Sequence, residues 1–377
     1  MTMEQPDIQH SEIRAALRDY FADGAALSEV RAIAEGGAGG FDEERWRSLA
    51  GDLGVAGIEI ADEFGGMGLT ADYACTVLEE AGSALTPAPV RSTLAAAHAM
   101  QASSSAAPER ESWLRLIAAD SLVATIAVTP EGPSLAGQGR VERGGEGLTI
   151  TADLNAVPDG AAAGLVLVWA DSDAGPQLVA VDMSAHSEAI ARTALGATDF
   201  SQGYADITLR SAPCVALSKI GAAAEWQWIQ DVTLLYVAAE TAGVAAGCLA
   251  KAAAYAAERT QFGRIISTYQ AISHRLAETV VDVEAARGLV TLAAKAAVAG
   301  RSEDLSRLAP LARAAASRAA LAAADTQIQV HGGIGFTWEH DAHFFFRRAR
   351  SCAAWFGSAR DMEDMATARG CQALLTA

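Results

Sequence analysis

Tyr255–Gln270 reads YAAERTQFGRIISTYQ, and further along the chain Gln329–Phe336 reads QVHGGIGF. The first stretch begins with helical spacing and breaks at Gly263. Beside the break stand a permanent cation, Arg259, an aromatic face, Phe262, and two amides, Gln261 and Gln270. The second stretch sets Gly332, Gly333 and Gly335 between two helical runs. Backbone N–H groups at a glycine turn, with a guanidinium nearby, suit a pyrophosphate, and an aromatic ring suits a flat heterocycle. Each residue also has a plainer reading: Arg259 ends a helix by complementing its dipole, and Phe262 belongs to the core.

Working outward from these stretches gives an α+β chain. Residues from about 8 to 118 carry helical spacing, punctuated by glycine loops at Gly36–Gly40 and Gly65–Gly68. From Ser121 the pattern changes to short β-branched runs, SLVATIAVT, GLTITADL, AGLVLVWA, QLVAVDM and YADITLRSAP, bounded by Gly, Pro, Asp and Ser. From about Ala222 the chain is helical again: to Glu258, from Tyr269 to about Ala299, from Leu305 to Val330, and from about Asp341. Pro310 is expected in the first turns of the third run, where a missing N–H does least harm. The reading is an N-terminal helical domain over 1–119, a middle antiparallel β domain over 120–215 and a C-terminal helical bundle over 216–377. Alanine-rich helices such as Leu308–Ala324 favour close helix packing within or between subunits.

Bulk properties narrow the function. A chain of 377 residues, 51% apolar, builds two or three domains with a sizeable core. A net charge of −18 argues against nucleic acid as a partner but leaves room for one dinucleotide or one CoA ester. Cys75, Cys214, Cys248, Cys352 and Cys371 show no metal spacing and read as reduced thiols. His331, His340 and His343 cluster without the acidic or thiol partners of a metal site, so no metal is expected. Glu240 and Lys251 interrupt the most apolar run, so no membrane span is expected. The sequence MTMEQPDIQHSEI shows no secretory pattern, which makes the cytoplasm the default location.

Taken together and in this order, RTQFG and QVHGGIGF resemble the RxxFG and QxxGGxG(F/Y) segments of the acyl-CoA dehydrogenase family of flavoproteins. LGVAGIEIADEFGGMGLT (Leu53–Thr70) is similar to that family's LGxxGxxxPEExGGxGL segment, with Ala61-Asp62 in place of Pro-Glu. LEEAGSALTPAPVRST (Leu78–Thr93) and WEHDAHFFFRRA (Trp338–Ala349) are similar to its bacterial members, a branch that includes heterotetrameric steroid and side-chain acyl-CoA dehydrogenases. The resemblance implies FAD between the β domain and the helical bundle. A carboxylate takes the α-proton of an acyl-CoA while hydride leaves for the flavin, and an electron-transfer flavoprotein accepts the electrons. It further implies that Arg259, Gln261, Phe262 and Gln270 touch the FAD of a neighbouring subunit, and that Gln329, Gly332 and Gly333 line it from the other side.

The remaining family positions are altered. VTPEGPSLAG (Val128–Gly137) stands where VTEPGAGSD is usual, leaving Thr129 and Ser134 as flavin or thioester contacts. LTITADLNAVPDG (Leu148–Gly160) lacks the tryptophan of the usual WITNG. WFGS (Trp355–Ser358) stands where YEGT carries the catalytic glutamate, so Phe356 fills the glutamate's place and Ser358 is a candidate cofactor contact. The family's second base position is Thr233, expected with Asp231 on the substrate side, although Asp231 also reads as a cap or surface charge.

Glu240, the one charged residue between Asp231 and Lys251, is the remaining candidate base. Burial would raise its pKa, and it shares a helix face with Thr233 at roughly 10 Å along the axis. The alternative is a structural carboxylate paired with Arg275 or Arg287. Four readings follow: an active homo-oligomer using Glu240; the base-lacking member of an α2β2 heteromer; an oxygenase of the same fold; or a binding protein without turnover.

Overall fold

The computed structural model describes residues 8–21, 25–36, 41–145, 147–184 and 188–376. The glycine loop expected at 36–40 lies largely outside the described residues, as do the first seven residues. Among the described residues the N-terminal part holds the α-helices α1 (Ile8–Phe21), α2 (Ala25–Gly36), α3 (Glu43–Arg47), α4 (Ala71–Ala84), α5 (Val90–Ala102) and α6 (Pro108–Asp120). Asp42 caps α3 by accepting from the N–H groups of Glu44 and Arg45.

Seven strands follow: β1 (Ala124–Ala127), β2 (Arg140–Gly144), β3 (Gly147–Pro158), β4 (Leu165–Ala170), β5 (Gln177–Asp182), β6 (Ile190–Ala194) and β7 (Tyr204–Ala216). They pair in the order β1-β4-β5-β7-β3-β2, with β6 also against β7. The sheet is not wholly antiparallel as expected, because β1 pairs with β4 in parallel. The β2–β3 hairpin lies between those two strands in the chain, so they enter the sheet in the same direction.

The C-terminal part consists of α7 (Ala223–Glu258), a short hairpin of β8 (Thr260–Gln261) and β9 (Arg264–Ile265), α8 (Gln270–Val298), α9 (Ser302–His331), α10 (Ala342–Ala354) and α11 (Ala359–Thr376). Two expectations need correction here. The last helical run is two helices, split at Trp355–Ser358. Helix α9 starts at Ser302, so Pro310 is inside it rather than in its first turns. The carbonyl this proline leaves without its helical donor, that of Ser306, accepts from Arg369 Nη1 of α11 at 2.9 Å. A side chain from another helix thus repairs the break.

Helix α7 is the axis of the molecule. Its best 18-residue window has a mean hydropathy of 1.6, enough by composition for a membrane span, yet 89% of that window is buried inside this fold. It crosses α4 at glycine contacts: a Cβ on Gly82 would sit 2.2 Å from the Glu240 carbonyl oxygen, and one on Gly243 would sit 2.0 Å from that of Glu79. Only glycine permits this approach, and it fixes the depth at which Glu240 is held.

Candidate functional site

The two signature stretches meet at one end of the helical bundle. Ile266, just past the β8–β9 hairpin, packs with Val330 of α9 in a small cluster with Ala252 and Ala256. Tyr255 stacks on His331 with ring centroids 4.2 Å apart. Arg259 takes up extended backbone at the end of α7, its N–H bonded to the Tyr255 carbonyl, which releases its side chain outward. The hairpin turns at Phe262 (φ 53°) and Gly263 (φ 79°), both left-handed. That backbone is costly for a bulky residue, yet Phe262 is 95% exposed and gains no packing for it. At the end of α9, Gly332 has φ 65° and ψ −143°, a conformation essentially restricted to glycine. Arg259, Gln261, Gln270, Gln329 and Gly333 are likewise exposed, and Arg259 makes no ion pair among the described residues. The structure therefore gathers the expected dinucleotide contacts at one exposed edge, with an unneutralised guanidinium beside the exposed backbone of Gly332 and Gly333, although the Gly332 N–H is itself used to close α9 on the Ile328 carbonyl.

The β-domain loop is different. Thr129 Oγ1 donates to the Gly132 carbonyl at 2.5 Å, and Ser134 Oγ accepts from the Ala136 N–H at 3.1 Å. The Ser134 carbonyl accepts from Trp226 Nε1 at 2.8 Å and Gln230 Nε2 at 2.7 Å, both on the first turns of α7. Trp226 stacks on Trp169 of β4 (5.2 Å, 5° between planes), and Trp169 Nε1 bonds the Leu135 carbonyl. The Gly357 N–H bonds the Pro130 carbonyl at 3.1 Å, tying the loop to the Phe356 turn. Ser358 Oγ and N–H both engage Asp361 at the start of α11, as a helix cap does. Trp169, Trp226 and Gln230 were missed at the sequence level, because the family motif directs attention to a tryptophan in β3 that is absent.

Both customary base positions are closed. Thr233 is buried and its Oγ1 donates to the Ile229 carbonyl at 2.8 Å. Phe356 is fully buried in a left-handed backbone (φ 61°). Asp231, expected at a cap or surface if not on substrate, is instead buried in α7 and paired with Arg369 Nη1 at 2.8 Å. Burial pushes its carboxyl up, and the Arg369 guanidinium opposes that shift.

Glu240 is held between two arginines. Oε2 accepts from Arg91 Nη1 of α5 at 2.5 Å, and Oε1 from Arg348 Nη2 of α10 at 2.6 Å. Arg348 also bonds the Ser201 carbonyl at 3.1 Å and faces Asp199 at 3.5 Å, while Arg91 lies over the Trp355 ring at 4.7 Å. All of these groups are buried. Two expectations are corrected. The partners are Arg91 and Arg348, since Arg275 faces Thr326 and Arg287 binds Glu79. The carboxyl pKa is lowered rather than raised: burial pushes it up, but the attraction and hydrogen bonds of Arg348 and Arg91 together outweigh burial. A carboxylate so stabilised as an anion is a weak proton acceptor.

Among the described residues, Thr129, Ser134, Thr233 and Phe356 do not line the concave sites of about 300 to 870 Å³ that open beside α1, α3, α4, α8 and α10. Among the described residues no group of three or more His, Cys, Asp or Glu has metal-binding geometry. Burial lowers the pKa of His331, His340 and His343.

Comparison with known proteins agrees with this geometry. The acyl-CoA dehydrogenase N-terminal domain matches residues 7–120, and the acyl-CoA dehydrogenase C-terminal domain matches residues 232–369. Acyl-CoA dehydrogenase FadE34 of Mycobacterium tuberculosis is 33% identical over 92% of this chain, which spans 45% of that protein's length. Acyl-CoA dehydrogenase IpdE2 of Mycolicibacterium smegmatis is 31% identical over 93% of this chain and 96% of its own. Among solved structures, the Tcur3481-Tcur3483 steroid ACAD superposes with a TM-score of 0.86 at 28% identity, covering 97% of this chain and 99% of that one. The ChsE4-ChsE5 complex from Mycobacterium tuberculosis gives 0.83 at 25% identity, covering 96% of each.

Proposed function

Because this chain belongs to the acyl-CoA dehydrogenase family, FAD-dependent oxidoreductases acting on CH–CH bonds, we propose that it is the base-lacking member of a heteromeric acyl-CoA dehydrogenase. A homologous partner subunit supplies the carboxylate and the flavin-facing β-domain loop. This chain supplies the far wall of the cofactor site: Arg259 to a phosphate, Phe262 and Gln261 to flat polar surface, and the exposed glycine backbone at Gly332 and Gly333 alongside the pyrophosphate. When bound, FAD provides the hydride acceptor for the α,β-dehydrogenation of an acyl-CoA. The similarity to a steroid ACAD and to a two-component complex supports a bulky, steroid-type acyl chain and an α2β2 assembly. On this reading an electron-transfer flavoprotein reoxidises the flavin, and five unpaired cysteines suit the reducing cytoplasm.

The observation that carries the reading is the double commitment at the base positions. Phe356 and Thr233 offer no proton acceptor, and Glu240 is already neutralised by Arg91 and Arg348. The test is to produce the chain alone and together with a homologous subunit from the same source. Bound yellow flavin and acyl-CoA-dependent bleaching are expected only for the pair. A fully flavinated, active homo-oligomer would exclude the proposal.

A further inference from the structure

Helix α10 borders a second polar site, one that no residue of the two signature stretches lines except Phe336. A cavity of about 300 Å³ lies between Phe336, Trp338, Phe346, Ile328 and the edge of α10. Its walls are unusually apolar for a surface in a chain of net charge −18: Phe336 is 71% and Trp338 52% exposed. His343 lines the same cavity while being only 7% exposed, and neither of its ring nitrogens has a partner. Trp338, with ring centroid 4.8 Å away, and Phe344, at 4.1 Å, fix the imidazole in place. A buried polar group without a partner is expensive, so a site that retains one is built to have it met from outside.

Two guanidiniums complete the rim. Arg347 spends one N–H on the Thr198 carbonyl at 3.2 Å, lies over Phe200 and Trp338, and makes no ion pair among the described residues. Arg350 lies over Phe346 and has one long ion pair, 4.0 Å, to Asp325. Both keep N–H donors for an anion, and their positions over aromatic rings orient them without neutralising them.

We propose that this cavity binds a planar aromatic or heteroaromatic anion, its ring between Phe336, Trp338 and Phe346, its acid group on Arg347 and Arg350, and a polar ring edge on His343. The three features select together. The aromatic walls favour a flat body, the arginines exclude neutral and cationic analogues, and the imidazole adds a donor or an acceptor at a fixed point.

The test is titration calorimetry on the native, flavin-containing assembly with 2-naphthoate as probe. One site per chain is expected, with 2-naphthamide and cyclohexanecarboxylate at least about tenfold weaker, as the loss of a charge-assisted bond or of a flat body implies. Arg350→Ala, an exposed and therefore fold-neutral change, should weaken the probe about tenfold or more with flavin content unchanged. His343→Phe, which fills the cavity, should abolish binding. No saturable binding, equal binding of the amide, or an unaffected Arg350→Ala variant overturns the assignment. Binding to the isolated chain but not to the native assembly also overturns it, and identifies the cavity as a face covered by a partner polypeptide.

Discussion

The end of the bundle at Arg259 and the centre at Glu240 treat charge in opposite ways. At the centre, the strong charges are met within the chain: Glu240 lies between Arg91 and Arg348, Asp231 against Arg369, and the buried Arg313 against the Cys352 and Trp355 carbonyls. At the end, Arg259 is exposed without a carboxylate, Phe262 stands in solvent on a left-handed backbone, and Gly332 and Gly333 are exposed where α9 stops. A completed charge network stabilises the fold but has nothing left for a substrate. An uncompleted one costs stability and is kept where something outside the chain completes it. The contrast assigns structure to the centre and recognition to the edge.

The sharpest way to break this contrast is Glu240→Gln. If the centre is structural, buried Arg91 loses its counter-charge, Arg348 keeps only Asp199 at 3.5 Å, and the variant is destabilised by about 3–5 kcal/mol at pH 7, measured by urea unfolding. The sign with pH follows from the lowered carboxyl pKa. The contribution of Glu240 is fully present above its ordinary value of 4.5 and is lost as pH falls through the lower folded value. The variant should therefore show less acid sensitivity than the parent. Unchanged stability with loss of turnover in the assembled enzyme would instead make Glu240 the base.

Next in size is Arg369→Ala, which leaves Asp231 without its counter-charge, held by Gln227 and Ser306, and the Ser306 carbonyl without a donor. The expected cost is about 2–3 kcal/mol at pH 7. The folded Asp231 carboxyl is already raised above its ordinary 3.8, chiefly by burial, and without Arg369 it rises further. The penalty should thus be small near pH 4 and grow as pH rises toward neutrality. A pH-independent penalty would locate the loss at the Ser306 carbonyl rather than the ion pair.

At the edge the expected signs reverse. Arg259→Ala should leave unfolding free energy within about 0.5 kcal/mol of the parent, as for an exposed side chain without partners. In the assembled protein it should weaken FAD retention about tenfold to a hundredfold, the worth of one charge-assisted bond. Equilibrium dialysis against free FAD measures it, and full retention would remove Arg259 from the cofactor site.

How much of this was legible in the sequence follows the same division. The edge announces itself, because RTQFG and GGIG are contiguous and their exposed chemistry is local. The centre is opaque: Arg91 and Arg348 lie 149 and 108 positions from Glu240, and no periodicity pairs residues across such distances. The long helices were readable from apolar runs, and β1, β3, β4, β5 and β7 from β-branched ones. Strands β2 (RVERG) and β6 (IARTA) were not, since nearly all their side chains face solvent and show no apolar alternation. Strand direction was also hidden, because β1 and β4 carry the same buried apolar pattern in either orientation. The inner position of Pro310 depended on a donor from α11 that spacing cannot reveal.

The smallest effect is the most discriminating. Phe262 has φ 53° at the tip of the β8–β9 hairpin, and its ring is 95% exposed, so the fold gains little from it and bears the cost of a left-handed backbone. Asparagine adopts that conformation far more readily and hydrogen-bonds locally. Phe262→Asn should therefore stabilise the chain by up to about 1 kcal/mol, seen as a higher unfolding midpoint in urea with an unchanged slope. It should also weaken flavin retention, because the asparagine offers no aromatic face. Opposite movements of stability and affinity are what a residue kept for recognition predicts. If both fall together, Phe262 packs against something within its own subunit, and the exposed edge is a structural surface like any other.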